Sequence, residues 1–397
     1  MSPIEAPTSS RASAAEEKDL LAWREEFPIL ESSSYLISNS LGAMPRGVRT
    51  ALAGYADTWA TRGVGAWEEE WWLLPEKVGD AIGSIIGAPA GTVSTHQNVT
   101  LASAVLASCF DFASERNRIV CSELNFPSIV QLYRGQERHG AQLHLVASPD
   151  GFEVPTEAMI AAIDERTALV PISHVIFRGS YMQDIEAIVA RAHEVGASVA
   201  LDVYQSAGAM PIDVVDVDVD FAVGGVLKWL CGGPGVAYLY TRADRIAELE
   251  PALTGWFARR EPFAFDPLDT TYRDDAWRFL NGTAHIPSLT AAMPGLDILG
   301  RLDLASVRRK SLRQTQLIMT AASERGWHVN TPALAERRGG HVTVGLPGAD
   351  RLAQQLVERR IMVDYRSGAG IRMAPHFYTT DAEIDAALAA IDELAGQ

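Results

Sequence analysis

Lysine and cysteine are scarce in this chain, and each shortage is informative. Only four lysines occur among 397 residues: Lys18, Lys77, Lys228 and Lys310. Lys and Arg total 34 against 50 Asp and Glu, a formal charge of −16. The chain therefore lacks the basic face that nucleic acid or an anionic membrane surface requires, and neither is expected as a partner. Its three cysteines, Cys109, Cys121 and Cys231, are scattered and form no CxxC pair. They support neither a disulfide framework nor a metal site, and a reducing compartment is the default. No run of about 18 apolar residues occurs. Residues 1–18 are polar and lack the apolar core of a secretory leader. A cytoplasmic protein with a loose N-terminal tail is expected.

What is present is ordinary globular composition, 47% hydrophobic and 21% charged, in a chain long enough for a large domain and a smaller one. From about residue 92, short apolar runs alternate with helical periods. Arg118–Cys121, Gln142–Ala147, Ala168–Val175 and Ser198–Leu201 read as strands, and a helix is expected over about 98–112. Ile185, Ile188, Val189, Ala192 and Val195 share one helix face. Continuous apolar strands between amphipathic helices predict an α/β fold with a mostly parallel, doubly wound sheet. After Tyr240 the alternation stops. A long helical stretch over about 284–325 leads to short strands at His341–Val344 and Ile361–Tyr365, then a closing helix from Asp381. The expected division is a large domain over 51–285 and a small α+β domain over 286–397. Residues 1–50 would form a tail and an arm wrapping onto the small domain.

Three lysines sit in charged company (EEKD, PEKV, RRKS), as solvated lysines do. Lys228 does not: VDFAVGGVLKWLCGGPG is apolar before it and glycine-rich after it. A lysine there must be paired, neutralised or covalently used, because burying a free ammonium is costly; a snorkelling strand-end lysine is the plainer alternative. Asp202 ends an apolar strand in SVALDVYQSAG, at the edge where open α/β sheets bind ligands. A strand-end aspartate followed by a strand-end lysine suits pyridoxal phosphate, the carboxylate holding the ring nitrogen protonated and the amine forming the Schiff base. Gln205, three residues after the aspartate, adds to the pattern.

With these residues in place, the chain resembles the fold-type I pyridoxal-phosphate enzymes of the class V aminotransferase group, in particular the kynureninase-like branch. The resemblance runs through Tyr35-Leu-Ile-Ser-Asn39-Ser40-Leu-Gly42, Asn125-Phe126-Pro127-Ser128, Asp202-Val-Tyr-Gln205 and Leu227-Lys228-Trp229. It continues through Leu253-Thr-Gly-Trp256-Phe257, Phe279-Leu-Asn-Gly282-Thr283 and Gly370-Ile-Arg372-Met-Ala-Pro375. It implies that Phe126 stacks on the pyridine and that Gln97 and Asn98 open a helix whose N-terminus receives the phosphate. Trp256 would close over the phosphate, and Gly282 and Thr283 would reach it from the neighbouring subunit of a homodimer. Arg372 would grip the carboxylate of an amino-acid substrate. Asn39, His174 and Arg178 are further candidates for the substrate side of the pocket.

The chain also departs from the branch's pattern. Where kynureninases carry a proton-donating Tyr before the lysine, this chain has Leu227. Where they have His and Asp it has Gln205 and Ile129, and their Gly-His-Glu after Gly-Trp-Phe is here Ala258-Arg259-Arg260. The cofactor-holding parts match, whereas those tied to aryl-ketone hydrolysis do not. The expectation is an enzyme that cleaves a bond at the β-carbon of a β-substituted alanine. Transamination, decarboxylation-dependent oxidative deamination and a non-enzymatic binding module are the alternatives. Arg259 and Arg260, if they face the pocket, would favour a polar or anionic substrate side chain.

Overall fold

The structure, a computed structural model, describes residues 14–396. A short strand β1 (Ser34–Tyr35) precedes seven strands that build the central sheet. These are β2 (Val93–His96), β3 (Arg118–Ser122), β4 (Gln142–Val146), β5 (Thr167–Ser173), β6 (Ser198–Asp202), β7 (Phe221–Gly225) and β8 (Ala237–Thr241). Their order is β2-β8-β7-β6-β5-β3-β4. Neighbours from β7 to β4 are parallel, and β8 runs antiparallel to both β7 and β2. Every residue of β5, β6, β7 and β8 is buried, which is why these strands read as unbroken apolar runs. Alternate residues feed two cores, Val170 and Leu201 on one face, Leu169 and Ala200 on the other. Among the described residues, no helix is long and apolar enough to cross a membrane.

Strands β9 (His328–Val329), β10 (Val342–Gly345), β12 (Asp364–Arg366) and β13 (Gly370–Met373) form a second, antiparallel sheet, while β11 (Ile361–Met362) leaves it to pair with β1. Its core, including Ile318, Leu356, Ile371 and Ile391, packs under the helices Leu304–Glu324, Ala349–Glu358 and Asp381–Ala395. The arm after β1 then crosses to the large sheet. There the Gly42 N–H donates to the Leu227 carbonyl at 2.9 Å. A side chain at Gly42 would collide with the carbonyl of Lys228, so only glycine permits this approach.

Several expectations need correcting. Of the tail, residues 1–13 lie outside the described residues, but Ala14–Ala22 is helical, and Glu17 bonds Arg313 at 2.7 Å. The stretch 284–325 is two helices, Ile286–Leu299 and Leu304–Glu324; the second begins at Asp303, whose side chain caps it. Ile361–Tyr365 is split between two sheets. The helix after Asn98 is shorter than expected, spanning Val99–Ala107. Lys310 is not a solvated lysine: it is 1% exposed. Its ammonium donates to the carbonyls of His376, Phe377 and Thr379. It shares the buried face of its helix with Val307 and Gln314, a period hidden by the neighbouring arginines.

Candidate functional site

Because β2 points the same way as the parallel strands, the chain leaves β2, β3, β5, β6 and β7 at one edge of the sheet. Five of those exits carry candidate residues: Gln97 and Asn98, Phe126, His174, Asp202 with Gln205, and Lys228. This is the edge where open parallel sheets hold ligands.

Lys228 sits in the turn after β7, partly solvent-accessible. Its Nζ lies 4.3 Å from the ring centroid of Tyr204 and 5.6 Å from that of Phe126. No hydrogen bond or ion pair joins the amine to another described residue. Burial pushes its pKa down to about 8, against the pull of Asp202, and the cations Arg372 and Arg366 lower it further. The neutral amine is the form that attacks a carbonyl. Covalent capture of pyridoxal phosphate by the apoprotein should therefore rise steeply between about pH 7 and 9, with a midpoint near 8. A midpoint near 10.5, the ordinary lysine value, would show that burial does not act on this amine.

Asp202 pairs with Ser173 across to β5 and with Val223 across to β7. Its Oδ1 accepts from the Tyr204 N–H at 2.9 Å, and Oδ2 accepts no bond from the described residues. Burial raises its pKa, opposed by the Tyr204 bond and by Lys228. Bonding to a cationic ring would supply the partner that a buried carboxylate needs.

The helix Val99–Ala107 begins at this edge. Asn98 caps it, its side chain accepting from the Leu101 N–H at 3.0 Å. The N–H groups of Val99 and Thr100 remain free, and Gln97 and Asn98 are exposed beside them, an arrangement suited to a phosphate. The Phe126 ring is 40% exposed and rests edge-on against Phe177 at 5.2 Å.

Gln205 turns away from the cleft. Its amide donates to the Asn39 carbonyl at 3.0 Å, and its oxygen accepts from the Trp229 indole at 2.9 Å. It thus ties the arm to the segment that carries Lys228. Asn39 is 1% exposed, yet both atoms of its side-chain amide lack a partner. His174, adjacent to Asp202 through its N–H bond to the Asp202 carbonyl, has an unpartnered Nδ1. Burial, chiefly, and Arg308 push its pKa down to about 4, so it is neutral. Arg178 points elsewhere, over the Phe152 ring at 5.4 Å and to the Ser367 carbonyl.

Arg372 is 1% exposed. It makes a two-bond pair with Asp364 at 2.8 and 2.6 Å, and its Nη1 donates to the Phe177 carbonyl at 2.7 Å. Three of its five N–H groups are thereby used, leaving one on each Nη for a further acceptor. Arg366 stands 3.0 Å from Asp364. His341 is fully buried with neither ring nitrogen bonded. Burial and the nearby Arg372 and Lys228 keep it neutral.

Trp256, Gly282 and Thr283 do not meet Lys228 within this chain. Trp256 and Thr283 line a cleft of about 690 Å³ with Trp67, Trp72, Phe263 and Glu69. Gly282 lines another with Gln97, Phe257 and His285. Arg260 is paired with Asp274 at 2.8 Å and Arg259 lies over the Tyr272 ring at 4.4 Å. Arg259 also keeps a buried Nη1 without a hydrogen-bond partner among the described residues. Tyr204, His341 and Asp364 were not among the sequence candidates. Asp364 had a signal, since it lies eight residues before Arg372, the span of a short hairpin.

An unpaired deep lysine, a buried carboxylate one strand away, an open aromatic face and a free helix start fit one group, pyridoxal 5′-phosphate. The fold and these residues place the chain among the pyridoxal-phosphate proteins of fold type I. Residues 35–386 match the family described as Aminotransferase class-V. The chain is 33% identical to a kynureninase of Pseudomonas fluorescens over 96% of its own length and 94% of the relative's. With a kynureninase of Bacillus anthracis the identity is 31%, over 95% and 92%. Its fold superposes on a lysine-to-alanine mutant of C-DES, with glycine covalently linked to the PLP cofactor, at a TM-score of 0.84 and 20% identity. That match covers 93% of this chain and 98% of that one. The chain belongs to the class V aminotransferase family, and its cofactor is pyridoxal 5′-phosphate.

Proposed function

We propose that this protein cleaves a bond at the β-carbon of a β-substituted alanine, with Lys228 as the cofactor lysine. The observation that carries the reading is the placement of Lys228 and Asp202 at adjacent strand ends, with Arg372 close enough to act on the charge of the lysine. The kynureninase relatives support it. When bound, the cofactor stabilises negative charge at the substrate's α-carbon. Asp202 keeps the proton on the ring nitrogen that makes this stabilisation effective. Arg372, oriented by Asp364, holds the α-carboxylate, and the freed Lys228 amine moves the proton at the α-carbon. Phe126 covers the ring, and Val99 and Thr100 receive the phosphate. A panel of β-substituted alanines tests the reading. Release of pyruvate or alanine supports it, whereas conversion of the cofactor to its amine form, or oxygen uptake, would replace it with transamination or oxidative deamination.

Arg372→Leu should raise KM for amino acids by a factor corresponding to about 2–5 kcal/mol, and should lower the melting temperature by breaking the two-bond pair with Asp364, which then keeps only Arg366 as its partner. Adding Asp364→Leu should restore stability but not KM, because a removed pair costs less than a broken one. Restored KM in the double variant would make Arg372 purely structural.

The protein is also expected to act as a homodimer, with Trp256, Gly282 and Thr283 completing the partner's phosphate site. The surface around them is unusually apolar, with Val64, Phe263, Phe265 and Leu268 all more than half exposed. Sedimentation should show a dimer at assay concentrations. A fully active monomer would remove the shared-site reading.

A further inference from the structure

We propose that Tyr204 supplies a second aromatic face to the cofactor site, so that the pyridine ring is held by Tyr204 as well as by Phe126. The proposal rests on the reading of Lys228 as the cofactor lysine. The Lys228 amine marks where the bound ring begins, and two aromatic rings approach it. Of these, Tyr204 is the nearer, its centroid 4.3 Å from Nζ against 5.6 Å for Phe126.

Three further observations place Tyr204 there by construction. Its backbone N–H is bonded to Asp202 Oδ1 at 2.9 Å, which fixes the residue relative to the carboxylate assigned to the ring nitrogen. The end of β7 makes room for it, since any side chain at Gly225 would collide with the Tyr204 hydroxyl. The hydroxyl itself forms no hydrogen bond with the described residues, so no polar partner among them holds the ring in place. Phe126 uses one edge against Phe177 and leaves the rest of its ring open. An electron-rich phenol beside a protonated pyridine is a favourable pairing, both as aromatic stacking and as attraction of a cation to a π face.

The experiment measures the dissociation constant of pyridoxal phosphate for the apoprotein by equilibrium dialysis, with the visible circular dichroism of the bound cofactor as a second signal. Tyr204→Phe keeps the ring and should stay within about twofold of wild type. Tyr204→Ala should bind about tenfold more weakly and change the dichroism. Gly225→Ala, which displaces the phenol without removing it, should weaken binding in the same way, yet add no further loss to Tyr204→Ala. Unchanged affinity in Tyr204→Ala overturns the proposal. So does Tyr204→Phe falling as far as Tyr204→Ala, which would assign the effect to the hydroxyl. Melting curves of the apoproteins separate these outcomes from misfolding. Borohydride trapping of the cofactor on a lysine other than Lys228 would overturn the parent reading, and it is scored independently of these affinities.

Discussion

Lys228→Ala is expected to abolish turnover, by on the order of 10⁴-fold or more, while the protein still folds and binds cofactor without a covalent link. The size of the loss follows from the two duties that the proposed function gives one amine, holding the cofactor and then moving the proton at the substrate's α-carbon. No other lysine can take its place. Lys18 and Lys77 are on the surface, and Lys310 is locked to three backbone carbonyls of the loop at 376–379. The fold should tolerate the change, because the amine makes no hydrogen bond or ion pair with the described residues and its removal strands no partner. Borohydride treatment followed by peptide mapping checks the result. A cofactor still trapped in the variant would mean that the lysine was assigned wrongly.

The second large effect concerns kynurenine. Although the chain is 33% identical to a kynureninase, it should release anthranilate from kynurenine about 10²–10⁴-fold more slowly than such an enzyme, the usual cost of a missing general acid. The residue before Lys228 is Leu227, which cannot donate a proton. In the structure its main part in the site is its carbonyl, which accepts from Gly42. Gln205 is likewise committed to Asn39 and Trp229. Turnover measured beside a known kynureninase decides the matter. Comparable rates would return the reading to plain kynurenine hydrolysis, whereas a gain in that activity on Leu227→Tyr would show that the leucine is a chemical departure.

Strands β2 and β8 were not picked out, whereas β5 and β6 were legible in the sequence because both of their faces are covered, so burial leaves no polar alternation to confuse the reading. Lys228 was legible for the same reason, as a charge in an apolar setting. Lys310 was misread because the arginines around it mask the one helix face on which it lies. Burial there is decided by a packing partner almost 70 residues away. His341 could not be found from spacing, since its meaning comes from Arg372 and Lys228, which lie far from it in sequence, whereas Asp364 had only the hairpin spacing to Arg372 as a signal. Gln205 shows a further limit: the motif identified its place at the sheet edge, but the direction of its amide depends on Asn39 and Trp229, which local sequence does not contain. Trp256, Gly282 and Thr283 matched a family pattern, but whether they act on a neighbouring subunit is a matter of assembly, which the sequence of one chain does not contain.

The arm also sets a timetable. Tyr35 emerges early from the ribosome, but its partner in the ladder is Met362. At about 5–20 residues per second, the interval is on the order of 15–65 s. Only in its last part, about 6–24 s long and beginning when Thr241 is made, are all strands of the large sheet present with Lys228, while the segment bearing Asn39 and Gly42 still lacks its ladder partner. The nascent protein thus passes through a stage in which the lysine turn is formed but unroofed. Synthesis of β11, rather than of Lys228, is the event that completes the attachment of the arm.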